Sequence, residues 1–268
     1  MQHYRRVCVV SKDPEVEAKL KKAGIEKVLK GSEIEYHLFY PLSAPPKFDC
    51  SLMIAAGGDG TLFYAISGLV NPSTPVLHVS MGNKAFLAEV RLPELPERLH
   101  DILAGNYTLE RVRKLLVRTS TGWTGNALNE ALFATRTWKG VLSLQVDIEG
   151  LGQMDIVSSG VMVSTPLGST AFCLASGGPS LDDSLPGLVV CPISARRLWP
   201  PIVVHEDRKI SIRKTGGKEK PVLVLDGFVE RQVEDDEVMT VTKGKETVSM
   251  IRFTKEYLMK RIQRVMSE

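Results

Sequence analysis

Aromatic residues are scarce in this chain, at 6% of 268 residues, and no charge sign dominates: 34 Lys and Arg face 31 Asp and Glu, for a formal charge of +3. A nucleic-acid groove needs a basic stripe interleaved with stacking aromatics, and none is present, so no nucleic-acid partner is expected. No run approaches the ~18 apolar residues that span a bilayer, so no membrane partner is expected either. The N-terminal apolar run is too short for a signal peptide, and the expected location is cytoplasmic. Cysteines number only four, Cys8, Cys50, Cys173 and Cys191, far apart in sequence. They form neither a disulfide framework nor a metal-ligand pattern and are expected as reduced thiols. The five histidines show no HxH or HExxH spacing, so no protein-held metal site is expected. What remains is an ordinary globular composition, 43% hydrophobic and 24% charged, long enough for one large domain or two small ones.

The first third alternates strand and helix signals. Val7-Cys8-Val9-Val10 predicts a buried strand, and Asp13-Pro14 opens a helix that Gly24 stops. Residues 51–56 predict a second strand, 62–69 a helix, 76–80 a third strand and 95–104 a helix closed by Gly105. Strands separated by helices imply a parallel α/β sheet. From residue 106 the texture becomes β-rich. Strands are predicted at 115–119, 142–148, 156–164, 188–190, 202–204, 209–213, 222–225, 238–241 and 248–253, with Thr215-Gly216-Gly217-Lys218 as a hairpin turn. An amphipathic helix is expected at 255–265 through Leu258, Ile262 and Val265. The expected plan is an α/β domain over 1–105, a β-rich domain over 106–253, and a C-terminal helix over 254–268 that packs back.

Three motifs carry chemistry. Ala56-Gly57-Gly58-Asp59-Gly60-Thr61 follows a predicted strand and precedes a predicted helix. Gly57, Gly58 and Gly60 let the backbone approach a ligand, and the amides there with the helix dipole make an anion site. A carboxylate repels phosphate, so Asp59 makes sense as a group that takes or orients a hydroxyl proton beside a phosphate chain. The alternative is a tight turn with a left-handed glycine. Second, Asn129 and Glu130 are adjacent polar residues in an apolar strand-like run. Asn offers a donor and an acceptor, and Glu accepts only, a set suited to a ribose diol or an adenine edge. An exposed edge or loop end is the alternative. Third, in Thr165-Pro166-Leu167-Gly168-Ser169-Thr170-Ala171-Phe172, Gly168 permits a sharp turn and Ser169 or Thr170 caps a short helix through Ala175. Small residues leave room for a flat base, with Phe172 as a wall; a plain capped helix is the alternative.

Taken in order, GGDGT, Asn-Glu and TPxGSTA followed by Gly177-Gly178-Pro179 resemble the NAD kinase family, from about Ser51 to Gly227. Cys191-Pro192-Ile193, Pro201 to Val204 and Leu225-Asp226-Gly227 fit the same pattern. The resemblance implies a Rossmann-like N-terminal domain, a β-rich dinucleotide-binding domain, and phosphorylation of the adenosine ribose 2′-hydroxyl of NAD to give NADP. It makes Asp59 the catalytic base. It assigns Gly60 to the phosphate site and Asn129, Glu130, Thr170 and Ala171 to the bound dinucleotide; Gly57, Gly58, Thr61 and Phe172 join them as candidate substrate-binding residues. It implies Mg²⁺ with ATP or polyphosphate as donor, and a homodimer or homotetramer in which a neighbour completes the site. Apart from the resemblance, Lys84 and Arg136 are candidate helpers on the phosphates, with solvated surface charges as the favoured alternative.

Departures from the pattern concentrate on the dinucleotide side. Ser159 stands in place of an aspartate, which Asp155 could replace; Phe172 in place of a tyrosine; Ala175 in place of a serine. Ser80 and Ala85 replace an asparagine and a glycine nearer the phosphate loop. The competing readings are a lipid kinase of the diacylglycerol or sphingosine type, which shares the GGDG turn, and an inactive dinucleotide-binding paralogue. A preference for NADH over NAD is a variant of the main reading.

Overall fold

Short apolar runs bounded by turn residues form the first strands, and the computed structural model describes residues 4–40, 45–82, 85–137, 140–254, 258–259 and 262–263. In chain order the elements begin β1 (Arg6–Val10), α1 (Val16–Lys22), α2 (Ile25–Gly31), β2 (Glu35–Phe39), β3 (Leu52–Ala56), α3 (Asp59–Ser67), β4 (Pro75–Ser80), β5 (Val90–Arg91) and α4 (Leu95–Ala104). They continue β6 (Thr108–Thr119), β7 (Thr124–Ala127), β8 (Glu130–Thr135), β9 (Leu142–Ile148), β10 (Gly152–Ser158), β11 (Gly160–Ser164), α5 (Phe172–Ala175), β12 (Gly187–Ile193), β13 (Ile202–His205), β14 (Ile210–Gly216), β15 (Pro221–Leu225), β16 (Val229–Gln232) and β17 (Val238–Arg252). The mixed α/β fold with a β-rich C-terminal part is the expected class.

Two units emerge from the contacts: residues 1–112 with 247–268, and residues 113–246. The expected divisions lay at 105/106 and 253/254. Residues 247–253 fall with the first unit because the end of β17 pairs in parallel with β4, Ser249 beside Pro75 and Met250 beside Val76. Of the expected closing helix, 258–259 and 262–263 are helical and the rest lies outside the described residues.

The first unit is a parallel sheet in the order β17-β4-β3-β1-β2. β3 and β4 are buried along their whole length, as central parallel strands with both faces covered should be. Val7, Val9, Ile54, Leu77 and Val79 pack with Leu20, Leu29, Leu95, Leu99 and Ile102 from the helices. A second helix follows the expected one. Gly24, at φ 81, ends α1 but also starts α2, whose Ile25 and Leu29 are buried. Asp13 accepts a hydrogen bond from the Glu15 amide at 2.9 Å, so the chain turns there and α1 starts only at Val16.

The second unit packs two sheets face to face. One runs β13-β12-β11-β8-β15-β16, all antiparallel; the other holds β10, β9, β14 and the start of β17. Their inner faces share one core, with Phe133, Val161, Val163 and Leu223 from the first sheet and Leu144, Val146, Ile210 and Met239 from the second. Residues 156–164, expected as one strand, are two strands in different sheets, and Ser159 sits at the change. Residues 238–253, expected as two, carry a single strand to Arg252. The Gly216-Gly217 hairpin is not formed: β14 pairs with β9 and β17, while β15 belongs to the other sheet.

Candidate active site

In the first unit, the buried strand β3 runs into α3 through Gly57 and Gly58. Gly57 donates its amide to the Val79 carbonyl at 2.9 Å, tying the loop to β4. None of Gly57, Gly58 and Gly60 is left-handed, so the tight-turn alternative does not describe this loop. The glycines serve close approach instead: a Cβ on Gly57 would come within 2.5 Å of Thr61 Oγ1, which is buried in the first turn of α3. Asp59 opens that helix, with Gly58 in an extended conformation before it. Its side chain is 19% exposed, and its Oδ1 accepts the Leu87 amide at 3.1 Å. The first-turn amides and the dipole of α3 favour an anion at this end. Lys12, exposed after β1, reaches toward the same loop: its Nζ lies 3.8 Å from where a Gly60 Cβ would be. No motif flagged Lys12, because a lysine on a solvent face carries no local signal. Below the loop lies His78, fully buried on β4, with Nε2 3.2 Å from the Gly57 carbonyl oxygen and Nδ1 3.8 Å from Asp59 Oδ1. Lys84 lies outside the described residues.

In the second unit, sheet order brings three distant motifs to one place. β8 lies between β11 and β15, and both neighbours run antiparallel to it. The start of β8 therefore meets the ends of β11 and β15: Asn129-Glu130 beside Ser164-Thr165 on one side and Leu225-Asp226 on the other. The Asn129 carbonyl accepts the Thr165 amide at 2.8 Å and the Ser164 hydroxyl at 3.2 Å. Thr165 Oγ1 donates to the Leu128 carbonyl at 2.7 Å and accepts the Gly168 amide at 3.0 Å. Gly168 is required by proximity rather than by a left-handed φ: a Cβ there would lie 2.2 Å from the Asn129 carbonyl oxygen. Asp226, at φ 52, turns its carboxylate back onto β8. That carboxylate accepts the Leu128 amide at 2.8 Å, the Asn129 amide at 2.7 Å and the Glu130 amide at 3.1 Å.

Asn129 and Glu130 are both buried, which removes the exposed-edge alternative. Asn129 Oδ1 and Glu130 Oε2 have no hydrogen-bond partner within the described residues. A buried polar atom left unpaired is costly, which makes both atoms candidates for contact with a ligand. Burial, followed by the neighbouring Asp226 charge, pushes the Glu130 carboxyl up to about 8. Asp226 is raised to about 6 by burial, against the pull of the three amides and of Lys114. Asp226 is therefore the stronger acid of the pair, held by the amides that converge on it. With its carboxyl pushed up, Glu130 can also donate when protonated, beyond the accepting role expected of it.

Thr170 is buried, with its hydroxyl on the Leu167 carbonyl, and Ala171 starts α5. Neither Ser169 nor Thr170 caps that helix: its N-cap is Ala171, and Ser169 Oγ instead accepts the Leu181 amide at 2.8 Å. Phe172 is 40% exposed on the first turn of α5. Ser159 donates to the Gly140 carbonyl at 3.3 Å. Asp155 is exposed and bonded by Gln145, so it does not serve as a buried acid in the place of Ser159. Arg136 is exposed at the end of β8.

Known proteins match both units. Residues 12–107 match the family described as ATP-NAD kinase N-terminal domain, and residues 128–253 the ATP-NAD kinase C-terminal domain. The NAD kinase of Alcanivorax borkumensis is 31% identical over 207 residues, covering 75% of this chain and 69% of that protein. The NAD kinase of Rhodococcus opacus is 32% identical over 211 residues, covering 76% of this chain and 65% of that one. A crystal structure of an NAD kinase from Archaeoglobus fulgidus in complex with ATP superposes with a TM-score of 0.80 at 24% identity, over 98% of this chain and 99% of that one. Yeast NADH kinase complexed with NADH superposes at 0.85 and 17% identity, over 99% and 89%. The lipid-kinase reading is not favoured by these matches. With the GGDGT loop in one unit, the Asn-Glu start of β8 in the other, and both halves matched, this chain belongs to the NAD kinase family.

Proposed function

We infer that the chain phosphorylates NAD to NADP at the adenosine ribose 2′-hydroxyl, with Asp59 as the base. The observation that carries the assignment of Asp59 is its place: a partly exposed carboxylate at the start of α3, in a glycine loop built for an anion, with Lys12 beside it. A ribose hydroxyl is a weak nucleophile at neutral pH. A positioned carboxylate can accept its proton as the bond to phosphorus forms, while amides and Lys12 offset charge on the donor's phosphates. On the dinucleotide side, Asn129 Oδ1 accepts from and protonated Glu130 donates to the polar edges of NAD, with Thr170, Ala171 and Phe172 around them.

ATP is the donor we assign, supported by the family's description and by the ATP complex of the Archaeoglobus enzyme. Magnesium would supply charge neutralisation on the phosphates. Among the described residues there is no group of three His, Cys, Asp or Glu side chains that could hold a metal. The chain therefore suits a cation carried by the donor's own phosphates, and no side chain is assigned to it. A homo-oligomer is supported by β13, which ends its sheet with Val203 exposed, close in sequence to the 99% exposed Leu198. No described helix is long and apolar enough to cross a membrane.

The test is an endpoint assay. Purified protein with Mg²⁺, NAD or NADH, and ATP or polyphosphate should make NADP from NAD with ATP. Absence of product from every combination, in folded protein, would refute the reading. Light scattering on the same preparation gives the oligomer, with a monomer mass refuting that part.

A further inference from the structure

His78 has no role in the reaction as described, yet it is a fully buried titratable group 3.8 Å from the Asp59 carboxylate. Its Nε2 lies 3.2 Å from the Gly57 carbonyl oxygen, an acceptor, so Nε2 carries the ring's proton when the ring is neutral. Its Nδ1 is then a bare lone pair. That atom is fully buried, has no hydrogen-bond partner among the described residues, and lies 3.8 Å from Asp59 Oδ1. Among the described residues the other groups that act on the ring are the Leu87 backbone and, from β17, Arg252, whose charge is shared with Glu89 and Glu110.

We propose that His78 is a positioning residue for the base: its Nδ1 receives the hydrogen bond of Asp59 once Asp59 has taken the ribose proton. This rests on the assignment of Asp59 as base. The step balances. The ribose 2′-oxygen bonds to the terminal phosphorus of the donor, and the bond from that phosphorus to the bridging oxygen breaks. The shortened phosphate chain leaves with the electron pair. The hydroxyl proton passes to the Asp59 carboxylate, which donates it in a hydrogen bond to His78 Nδ1 and returns it to water after product release.

The geometry gives this contact a purpose. The start of α3 and the Leu87 amide stabilise Asp59 as an anion, which makes it a weaker base. A lone pair behind the carboxyl favours the protonated form and offsets that weakness. In the resting state a lone pair faces a carboxylate, and 3.8 Å is too far for a hydrogen bond. Closure by about 1 Å on protonation makes one of ordinary length. The interaction is thus stronger at the transition state than before it, which is what accelerates a reaction. Burial holds the ring's basicity down, ahead of the opposing pull of the Asp59 charge, and so keeps the lone pair available.

His78→Gln tests it, because the Gln amide can still donate to the Gly57 carbonyl while the second nitrogen is lost. The expected result is kcat lowered roughly tenfold, KM for NAD unchanged, and the acid limb of the kcat–pH profile moved to lower pH. A folded variant with unchanged kcat and unchanged acid limb would overturn the proposal. Nitrogen-15 NMR of histidine-labelled wild type is the second reading, independent of folding of the variant and of activity. Nε2 should be protonated and Nδ1 bare; a proton on Nδ1 in the resting enzyme would overturn the proposal. Wild type that makes no NADP refutes the kinase reading instead and leaves the NMR result intact.

Discussion

Two carboxyl groups sit at the hearts of the two units, and the protein treats them oppositely. Asp59 is partly open to water at the start of a helix, where amides and a dipole favour its charge. Glu130 is buried in a sheet beside another acid, and that burial keeps its proton on to about pH 8. We propose the same functional group as a base in one place and as a hydrogen-bond donor in the other, with environment making the difference. Asp226 completes the contrast: it is the buried acid that keeps its charge, because three backbone amides of β8 converge on it.

Substitutions should break this contrast one side at a time. The largest effect is expected at Asp59: Asp59→Asn should lower kcat by roughly 100- to 10,000-fold, read as NADP formed per minute. Next is Gly168→Ala. Its Cβ would lie 2.2 Å from the Asn129 carbonyl oxygen, so the Asn129-Glu130 start of β8 must move. Loss of NAD binding by calorimetry, in protein whose circular dichroism stays native-like, is the expected outcome.

Glu130→Gln sharpens the comparison through pH. The folded carboxyl titrates near 8 against a reference of 4.5, so folding takes up a proton. The stability this gives is complete below about 4.5 and is lost as pH rises through 8. The melting temperature of wild type should therefore fall between pH 5 and 9 relative to that of Glu130→Gln. NAD binding by wild type should weaken above pH 8, and binding by the variant should not. Parallel melting curves across that range would show that Glu130 is charged in the fold. The smallest effect is expected at Lys12, an exposed cation: Lys12→Ala should raise KM for ATP only a few-fold, as solvent-screened charges are worth about 0.2–1 kcal/mol.

The sequence was most legible where the signal is local. Helix 95–104 shows its apolar spacing and a closing glycine, and the structure places it at Leu95–Ala104 with Gly105 left-handed. The GGDGT loop and the Asn-Glu pair stood out because glycine and buried-type polar residues are unusual in apolar runs. Reading failed where distant contacts decide. Ser159 looks like one more strand residue, but the chain changes sheets there, and Gly160 fits only because a Cβ would lie 2.6 Å from Ala134 Cβ. Lys243-Gly244-Lys245-Glu246 lies between the expected strands 238–241 and 248–253, yet it is part of β17. Gly244 is there because a Cβ would come 2.6 Å from the Lys114 carbonyl oxygen, and Lys243 pairs with Glu206 and Asp207. Strand β2 was missed because Glu35 and His37 interrupt its apolar pattern. His78, Leu87 and Asp226 act on the motifs from 19 to 97 residues away, and no local pattern announces such partners.

The central claim is a division of labour, with chemistry at Asp59 and recognition around Asn129 and Glu130. It is tested most directly by titrating NAD into Asp59→Asn and wild type by calorimetry. A dissociation constant in the variant within about threefold of wild type, a difference under roughly 0.7 kcal/mol, is the predicted result. Loss of NAD binding in a folded Asp59→Asn protein would contradict it and make Asp59 part of the dinucleotide's binding site.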